Sequence, residues 1–238
     1  MAIERYYTDS DLKEGTPVTL GAQEFHHLTH VMRARSGDLV ELINGRGTLA
    51  QARLDKIEKK EASLSVESAQ HFPSNEPHLI LAQGLPRSNR LDFILEKGTE
   101  LGVSEIWLFP GEKSERQELS PNQEERAQLL LIAATKQCGR LWLPKLALKP
   151  KLKKWESLPG QAFFGDVSQK APWLSSQIPD VRAKEIIFFV GPESGFTPQE
   201  EEKLKELGAM GVKLHFNILR TDTAAIAALC LLSVNARF

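Results

Sequence analysis

The sequence predicts an α/β protein in two parts: a small β-rich N-terminal domain, then a larger domain built on a mostly parallel sheet. Three observations carry this expectation. Before residue 67, short apolar runs alternate with turn residues, and Asn44-Gly45 is a strong hairpin signal. From residue 78 the rhythm becomes strand, helix, strand, helix, which places helices on both faces of parallel strands. Between the two, residues 67–78 (ESAQHFPSNEPH) are polar, carry two prolines and lack periodicity, which marks a linker.

In the first part, residues 18–20, 39–43, 48–54 and 62–66 read as strands, and residues 24–32 as the one helix among them. In the second part residues 78–83 read as a strand. Residues 89–101 form a helix with Leu91, Ile94, Leu95 and Leu101 on one face, and 105–109 a strand. Ser120-Pro121-Asn122-Gln123 fits a capping box with proline at the first helical position, and that helix reaches Cys138 before Gly139. Residues 162–165 and 185–190 are further strands. Thr197-Pro198-Gln199-Glu200 opens a second capped helix that stops at Gly208. Residues 212–216 read as the last strand and 223–234 as the last helix.

Composition narrows the function. The chain has 238 residues, 41% of them hydrophobic, enough for a sizeable core. Met1–Ile3 is followed at once by Glu4 and Arg5, so no signal-peptide apolar region is expected. No apolar run approaches the ~18–20 residues of a membrane span. Cys138 and Cys230 are the only cysteines, which is no disulfide framework and no zinc pattern, so a reducing, cytoplasmic setting is expected. The net charge is −1, yet from Arg126 to Trp155 there is no acidic residue, while Arg126, Lys136, Arg140, Lys145, Lys149, Lys151, Lys153 and Lys154 are basic. That run suits a nucleic-acid surface or, equally, a solvated helix end and a lysine-rich linker.

Open parallel sheets bind ligands at the carboxyl ends of their strands. Two such ends stand out: residues 190–196 (VGPESGF), between the apolar strand EIIFFV and a capped helix, and residues 217–224 (NILRTDTA). Glycines let backbone groups approach a ligand closely. Plain structural readings compete residue by residue: helix capping for Asp222 and Thr223, a surface ion pair for Arg220. No G-x-G-x-x-G follows a strand, and neither a Walker loop nor a G-x-S-x-G elbow occurs. His26 and His30 stand at i, i+4, but with no third ligand in sight they suit surface or RNA contact rather than metal.

The motifs His26-His27-Leu28 with Val31-Met32-Arg33 and Gly37-Asp38, then Lys97-Gly98-Thr99-Glu100-Leu101-Gly102-Val103, continue the pattern. Ser114-Glu115-Arg116, Gln137-Cys138-Gly139-Arg140, Gly191-Pro192-Glu193, and Leu219-Arg220-Thr221 with Thr223-Ala224 complete it. In this order and spacing, nearly the whole chain resembles the RsmE family of 16S ribosomal RNA uridine-N3 methyltransferases, within the SPOUT superfamily. The sequence departs from the family pattern at Ser194, where glycine is common, and at Asp222 and Lys136, where glutamate is. Asn217 stands where arginine is common, and His215 where glycine precedes the knotted loop.

The resemblance implies a PUA-like RNA-binding β-barrel over residues 1–72. Over residues 73–238 it implies a SPOUT α/β domain with a trefoil knot, which binds S-adenosylmethionine (SAM) and forms a homodimer. The implied substrate is a uridine of 16S rRNA in the small ribosomal subunit. Val190, Gly191, Pro192, Glu193, Gly195, Asn217, Ile218, Leu219, Thr223 and Ala224 are then the expected cofactor contacts. Arg220 would orient the uracil, Asp222 or Glu193 would accept its proton, and His30, Arg33, Arg35, Arg87 and Arg140 would meet RNA. Two rival readings remain: a non-catalytic RNA adaptor, which would not bind SAM, and an α/β enzyme stabilised by some other nucleotide.

Overall fold

A computed structural model describes residues 4–74, 78–178 and 184–235. Its contacts divide these residues into two compact units. The first takes in residues 4–74 together with Thr135–Leu143, the second residues 78–134 and 144–235.

Among the described residues of the first unit, five strands form one sheet in the order β1-β3-β4-β5-β2. They are β1 (Arg5–Tyr7), β2 (Pro17–Gly21), β3 (Leu39–Ile43), β4 (Thr48–Ile57) and β5 (Glu61–His71). Period-two alternation sets the inner face: Ala50, Ala52 and Leu54 of β4 and Ala62, Leu64 and Val66 of β5 are buried, with Tyr6, Leu20, Leu28 and Leu42 beside them. At the hairpin expected around residue 44, Asn44 is buried, and its Oδ1 accepts the N–H of Arg46 at 2.9 Å and of Thr48 at 3.2 Å. That closes an Asx-type turn. Gly47 has φ +84°, and a Cβ there would lie 2.6 Å from both the Phe72 carbonyl oxygen and Trp142 Cζ2. The indole thus packs directly on the turn.

Two expectations for this unit are corrected. The single helix over 24–32 is a short α1 (Ala22–His26) that opens into a π turn, His27–Val31. Thr29 donates its hydroxyl back to the Phe25 carbonyl at 2.8 Å, a bond that competes with the regular ladder. The linker is shorter than residues 67–78, because β5 continues to His71. Its residues 67–71 are all exposed, so their polarity reflects solvent and not an absence of structure. Residues 75–77 lie outside the described residues.

The second unit holds a six-stranded sheet among its described residues, in the order β11-β9-β10-β6-β7-β8, every pairing parallel. The strands are β6 (His78–Gly84), β7 (Glu105–Phe109), β8 (Lys145–Leu148), β9 (Gln161–Gly165), β10 (Glu185–Val190) and β11 (Met210–Val212). The inner strands β6 and β10 are buried on both faces, which is why they read as unbroken apolar runs. One face packs Ile80, Ala82, Phe109, Ile187 and Phe189 against Leu204 of α5 (Pro198–Glu206). On the other, α6 (Thr221–Asn235) packs on β6 and β10 and against α2 (Ser88–Glu100). Helices α3 (Pro121–Cys138) and α4 (Leu174–Gln177) complete the set, and among the described residues no helix is long and apolar enough to cross a membrane.

The capping box at Thr197 and Glu200 forms in both directions. At Ser120, the Gln123 side chain takes the Ser120 N–H at 3.0 Å. The last strand is shorter and earlier than expected: β11 ends at Val212, and residues 213–220 form a loop. β8 lies in the stretch that also reads as a lysine-rich linker, because four residues with weakly alternating burial carry little strand signal.

Candidate active site

Strand pairing brings the first predicted loop beside two others. Gln83 of β6 is in register with Val190 of β10, and Gly84 with Phe109 of β7, so the three following loops emerge side by side. Pro192 closes on this junction: a Cβ on Gly84 would meet Pro192 Cδ at 2.7 Å, and one on Gly111 would meet Pro192 Cγ at 3.1 Å. Only glycine permits that approach.

Under the loop lies Gln83, fully buried at the end of an apolar strand. Its Nε2 donates to the Gly84 carbonyl at 2.9 Å, to Thr221 Oγ1 at 2.9 Å and to the Gly191 carbonyl at 3.3 Å, and Thr221 Oγ1 donates to Gly191 O at 2.6 Å. The start of α6 is thereby stitched to the Gly191 loop. Gln83 Oε1 is buried with no hydrogen-bond partner among the described residues.

The charged groups are organised by Arg90, in the first turn of α2. Its Nη1 donates to Asp222 Oδ1 at 2.9 Å, and its Nε lies 3.3 Å from Glu193 Oε1. Glu193 also accepts the backbone N–H of Arg87 at 3.0 Å, and Asp222 that of Thr223 at 3.0 Å. The Arg87 side chain turns outward to Glu115, in a two-point pair with contacts of 3.1 and 2.5 Å. Hydrogen bonding, then charge, pushes the Glu115 carboxyl below its ordinary range and the Arg87 guanidinium above its own.

The rim of the site is open. Phe216 and Ile218 are 88% and 82% exposed, and Phe216 stands edge-on to Trp173 with ring centroids 4.6 Å apart. The Asn217 N–H donates to His215 Nδ1 at 3.1 Å, so the histidine shapes the turn that enters this loop. Arg220 is exposed, and its guanidinium has no partner among the described residues, unlike the surface ion pair considered from sequence.

The predicted residues therefore separate. Val190, Gly191, Pro192, Glu193, Asp222 and the backbone of Arg87 meet in one network. Gly195, Asn217, Ile218, Leu219, Arg220, Thr223 and Ala224 flank it on the two loops. His30, Arg33, Arg35 and Arg140 belong to the first unit. There the His26 and His30 rings stack at 4.7 Å, and no group of three metal-binding side chains occurs among the described residues. Sequence reasoning missed Gln83, Arg90 and Thr221. A glutamine closing a buried apolar strand was a usable signal; nothing local distinguished Arg90.

A family model described as an RNA methyltransferase domain matches residues 73–233, and one described as an RNA methyltransferase PUA domain matches residues 20–67. A crystal structure of a ribosomal RNA small subunit methyltransferase E from Neisseria gonorrhoeae, bound to S-adenosyl methionine, is 31% identical. It covers 96% of this chain and 95% of its own, with a TM-score of 0.80. This chain belongs to that methyltransferase family. Relatives of the same name from Rickettsia conorii and Bacillus subtilis are 29% and 27% identical. They cover 96% and 97% of this chain, and 94% and 96% of their own length. The network of Gln83, Arg90, Glu193 and Asp222 is thus part of an RNA methyltransferase domain.

Proposed function

We propose that this methyltransferase transfers a methyl group from SAM to N3 of a uridine in the 16S rRNA of the small ribosomal subunit. The observation that carries the reading is the tie between the glycine loop after β10 and the start of α6. It supports a cradle for the cofactor on the two loops that also carry the carboxylates of Glu193 and Asp222 and the exposed Arg220, whose guanidinium has no partner among the described residues. One polar group here suits a bound ligand such as SAM: the buried Gln83 Oε1 is an acceptor without a partner among the described residues. Val190, Gly191, Pro192, Glu193 and Gly195, with Asn217, Ile218, Leu219, Thr223 and Ala224, would hold the adenine, ribose and methionine parts. When bound, SAM supplies an electrophilic methyl group.

The uracil N3 carries a proton and is a weak nucleophile at neutral pH. Asp222 or Glu193 accepts that proton, directly or through water. Arg90 contacts both carboxylates and restricts where their oxygens can go. Arg220 orients the base and stabilises the charge that develops on its carbonyl oxygens. Aligning the base with the methyl donor contributes further, up to ~7–11 kcal/mol in well-oriented systems.

In the same reading the loops over residues 190–220 form the trefoil knot of the SPOUT superfamily, and a second copy of the chain covers the apolar rim of Phe216, Ile218 and Val167. The last is 73% exposed. The N-terminal unit contributes RNA contacts through His30, Arg33, Arg35 and Arg140, with Arg87 from the other domain. The setting is the cytoplasm, where ribosomes are assembled.

The test is single-turnover methylation of small subunits by wild type and Arg220→Ala, with SAM binding measured by calorimetry. Wild type is expected to yield N3-methyluridine. Losing one oriented donor for a developing anion lowers the rate ~100–1,000-fold, with SAM affinity retained. Wild type that neither binds millimolar SAM nor methylates 16S rRNA would overturn the reading. A near-normal rate for Arg220→Ala would remove that residue from the mechanism.

A further inference from the structure

The active site leaves the lysine run unused. β8 is the outer strand of the sheet among the described residues. Beyond it the chain passes through Lys149, Pro150 and Lys151 into a single 3₁₀ turn, Leu152–Lys154. The Trp155 indole N–H donates back to the Pro150 carbonyl at 2.8 Å, which closes residues 150–155 into a compact loop. Trp155 packs edge-on against Trp107 of β7 at 5.7 Å. Between this loop and β7 lies a cleft of about 320 Å³, lined by Trp107, Lys149, Pro150, Lys154, Trp155 and Ser157.

The charge around this cleft is only partly neutralised locally. Glu112 is shared by Lys151 at 3.2 Å and Lys153 at 3.7 Å, and Glu105 by His78 at 3.4 Å and Lys145 at 3.9 Å. Glu156 follows, exposed. Lys149 and Lys154 pair with no carboxylate among the described residues; the Lys149 ammonium instead sits 4.3 Å from the centre of the Trp107 ring. Lys149 and Lys154 line the cleft while its tryptophans, Trp107 and Trp155, are buried, so what the cleft offers a ligand is two ammonium groups, which suit the phosphates of a nucleic-acid backbone. The candidate site uses the loops after β6, β7, β10 and β11, while this cleft is lined by Trp107 within β7 and by residues that follow β8.

We propose that this cleft is a second RNA-anchoring site, built into the methyltransferase domain, where Lys149 and Lys154 hold phosphates of the rRNA substrate. The inference rests on rRNA being the substrate and adds a contact surface outside the active site. Such a contact contributes affinity and its salt dependence, not chemistry.

The experiment compares full-length wild type with Lys149→Glu/Lys154→Glu. It measures binding to protein-free 16S rRNA across a salt series, methylation kinetics on small subunits, and SAM affinity. The double variant is expected to bind rRNA at least tenfold more weakly, with a salt slope flatter by ~1–2 for two lost phosphate contacts. Its KM for subunits should rise while kcat and SAM affinity stay at wild-type values. Unchanged rRNA affinity and salt slope would overturn the proposal. So would a raised KM on subunits with unchanged binding to naked rRNA, because the lysines would then meet a ribosomal protein. A wild type that neither binds nor methylates 16S rRNA would overturn this proposal together with the substrate reading.

Discussion

Replacing Arg90 with methionine should loosen the loop after β10, which the proposed function assigns to the cofactor, more than it unfolds the protein. Arg90 contacts both Glu193, on the loop after β10, and Asp222, at the start of α6. Its contacts are 3.3 and 2.9 Å. The three side chains are 21%, 29% and 23% exposed, which places them between two regimes. Fully exposed pairs are worth ~0–1 kcal/mol, while removing one partner of a buried pair costs ~3–5 kcal/mol. Each carboxylate keeps a backbone donor, Arg87 N–H for Glu193 and Thr223 N–H for Asp222, both at 3.0 Å, so neither is left bare. A loss of about 2 kcal/mol follows, or ~4–8 °C in Tm for a chain of this size. Because the lost contacts tie one wall of the cradle to the other, SAM affinity should fall at least tenfold, ~1.4 kcal/mol. Arg90→Lys keeps the charge without the fork and should recover only part of either effect. Differential scanning calorimetry and SAM titration of the three proteins decide it. If Arg90→Met melts within 1 °C of wild type and binds SAM within twofold, the bridge does not order the site and the reasoning fails.

Gly84→Ala should act on the same loop from below. Its Cβ would fall 2.7 Å from Pro192 Cδ and 2.8 Å from Pro192 N, so the loop must shift, at ~1–3 kcal/mol for overpacking. The expected result is weakened SAM binding with a modest drop in melting temperature; wild-type SAM affinity would show that the loop yields freely. Tyr6→Phe should be neutral or stabilising by up to about 1 kcal/mol at pH 7, because the Tyr6 hydroxyl is buried with no hydrogen-bond partner among the described residues. Burial, then the charges of Glu4 and Glu24, pushes its phenol well above the ordinary tyrosine range. The folded value therefore exceeds the unfolded one, so this stabilising difference is complete below pH ~10 and lost as pH rises further. Urea unfolding at pH 7 and pH 11 should show wild type losing more stability than Tyr6→Phe. An equal loss would place the phenol in a solvated site.

Local sequence determined the alternation of strands and helices in the second unit, the Asn44-Gly45 turn, the Thr197 capping box, and the two loops of the candidate site. Those signals lie within one element or one turn, where side-chain period and capping chemistry act directly on the backbone. The partnerships inside the site are not local. Arg90 meets Asp222 across 132 positions, and Gln83 meets Thr221 across 138. Nothing near Arg90 in the chain distinguishes it from any other arginine in a first helical turn. Only the strand order, with β6 beside β10 and α6 lying over both, brings its guanidinium to two carboxylates. The same holds for Thr135–Leu143, which follows and ends a helix in sequence yet packs with the N-terminal unit, with Trp142 on Gly47. It holds too for β8, where four residues gain strand character only from the edge of β7 that they pair with. Periodicity and capping are properties of neighbours along the chain. Charge pairing and edge strands depend on which distant segments the packed sheet brings within a few ångströms, and only the tertiary structure decides that.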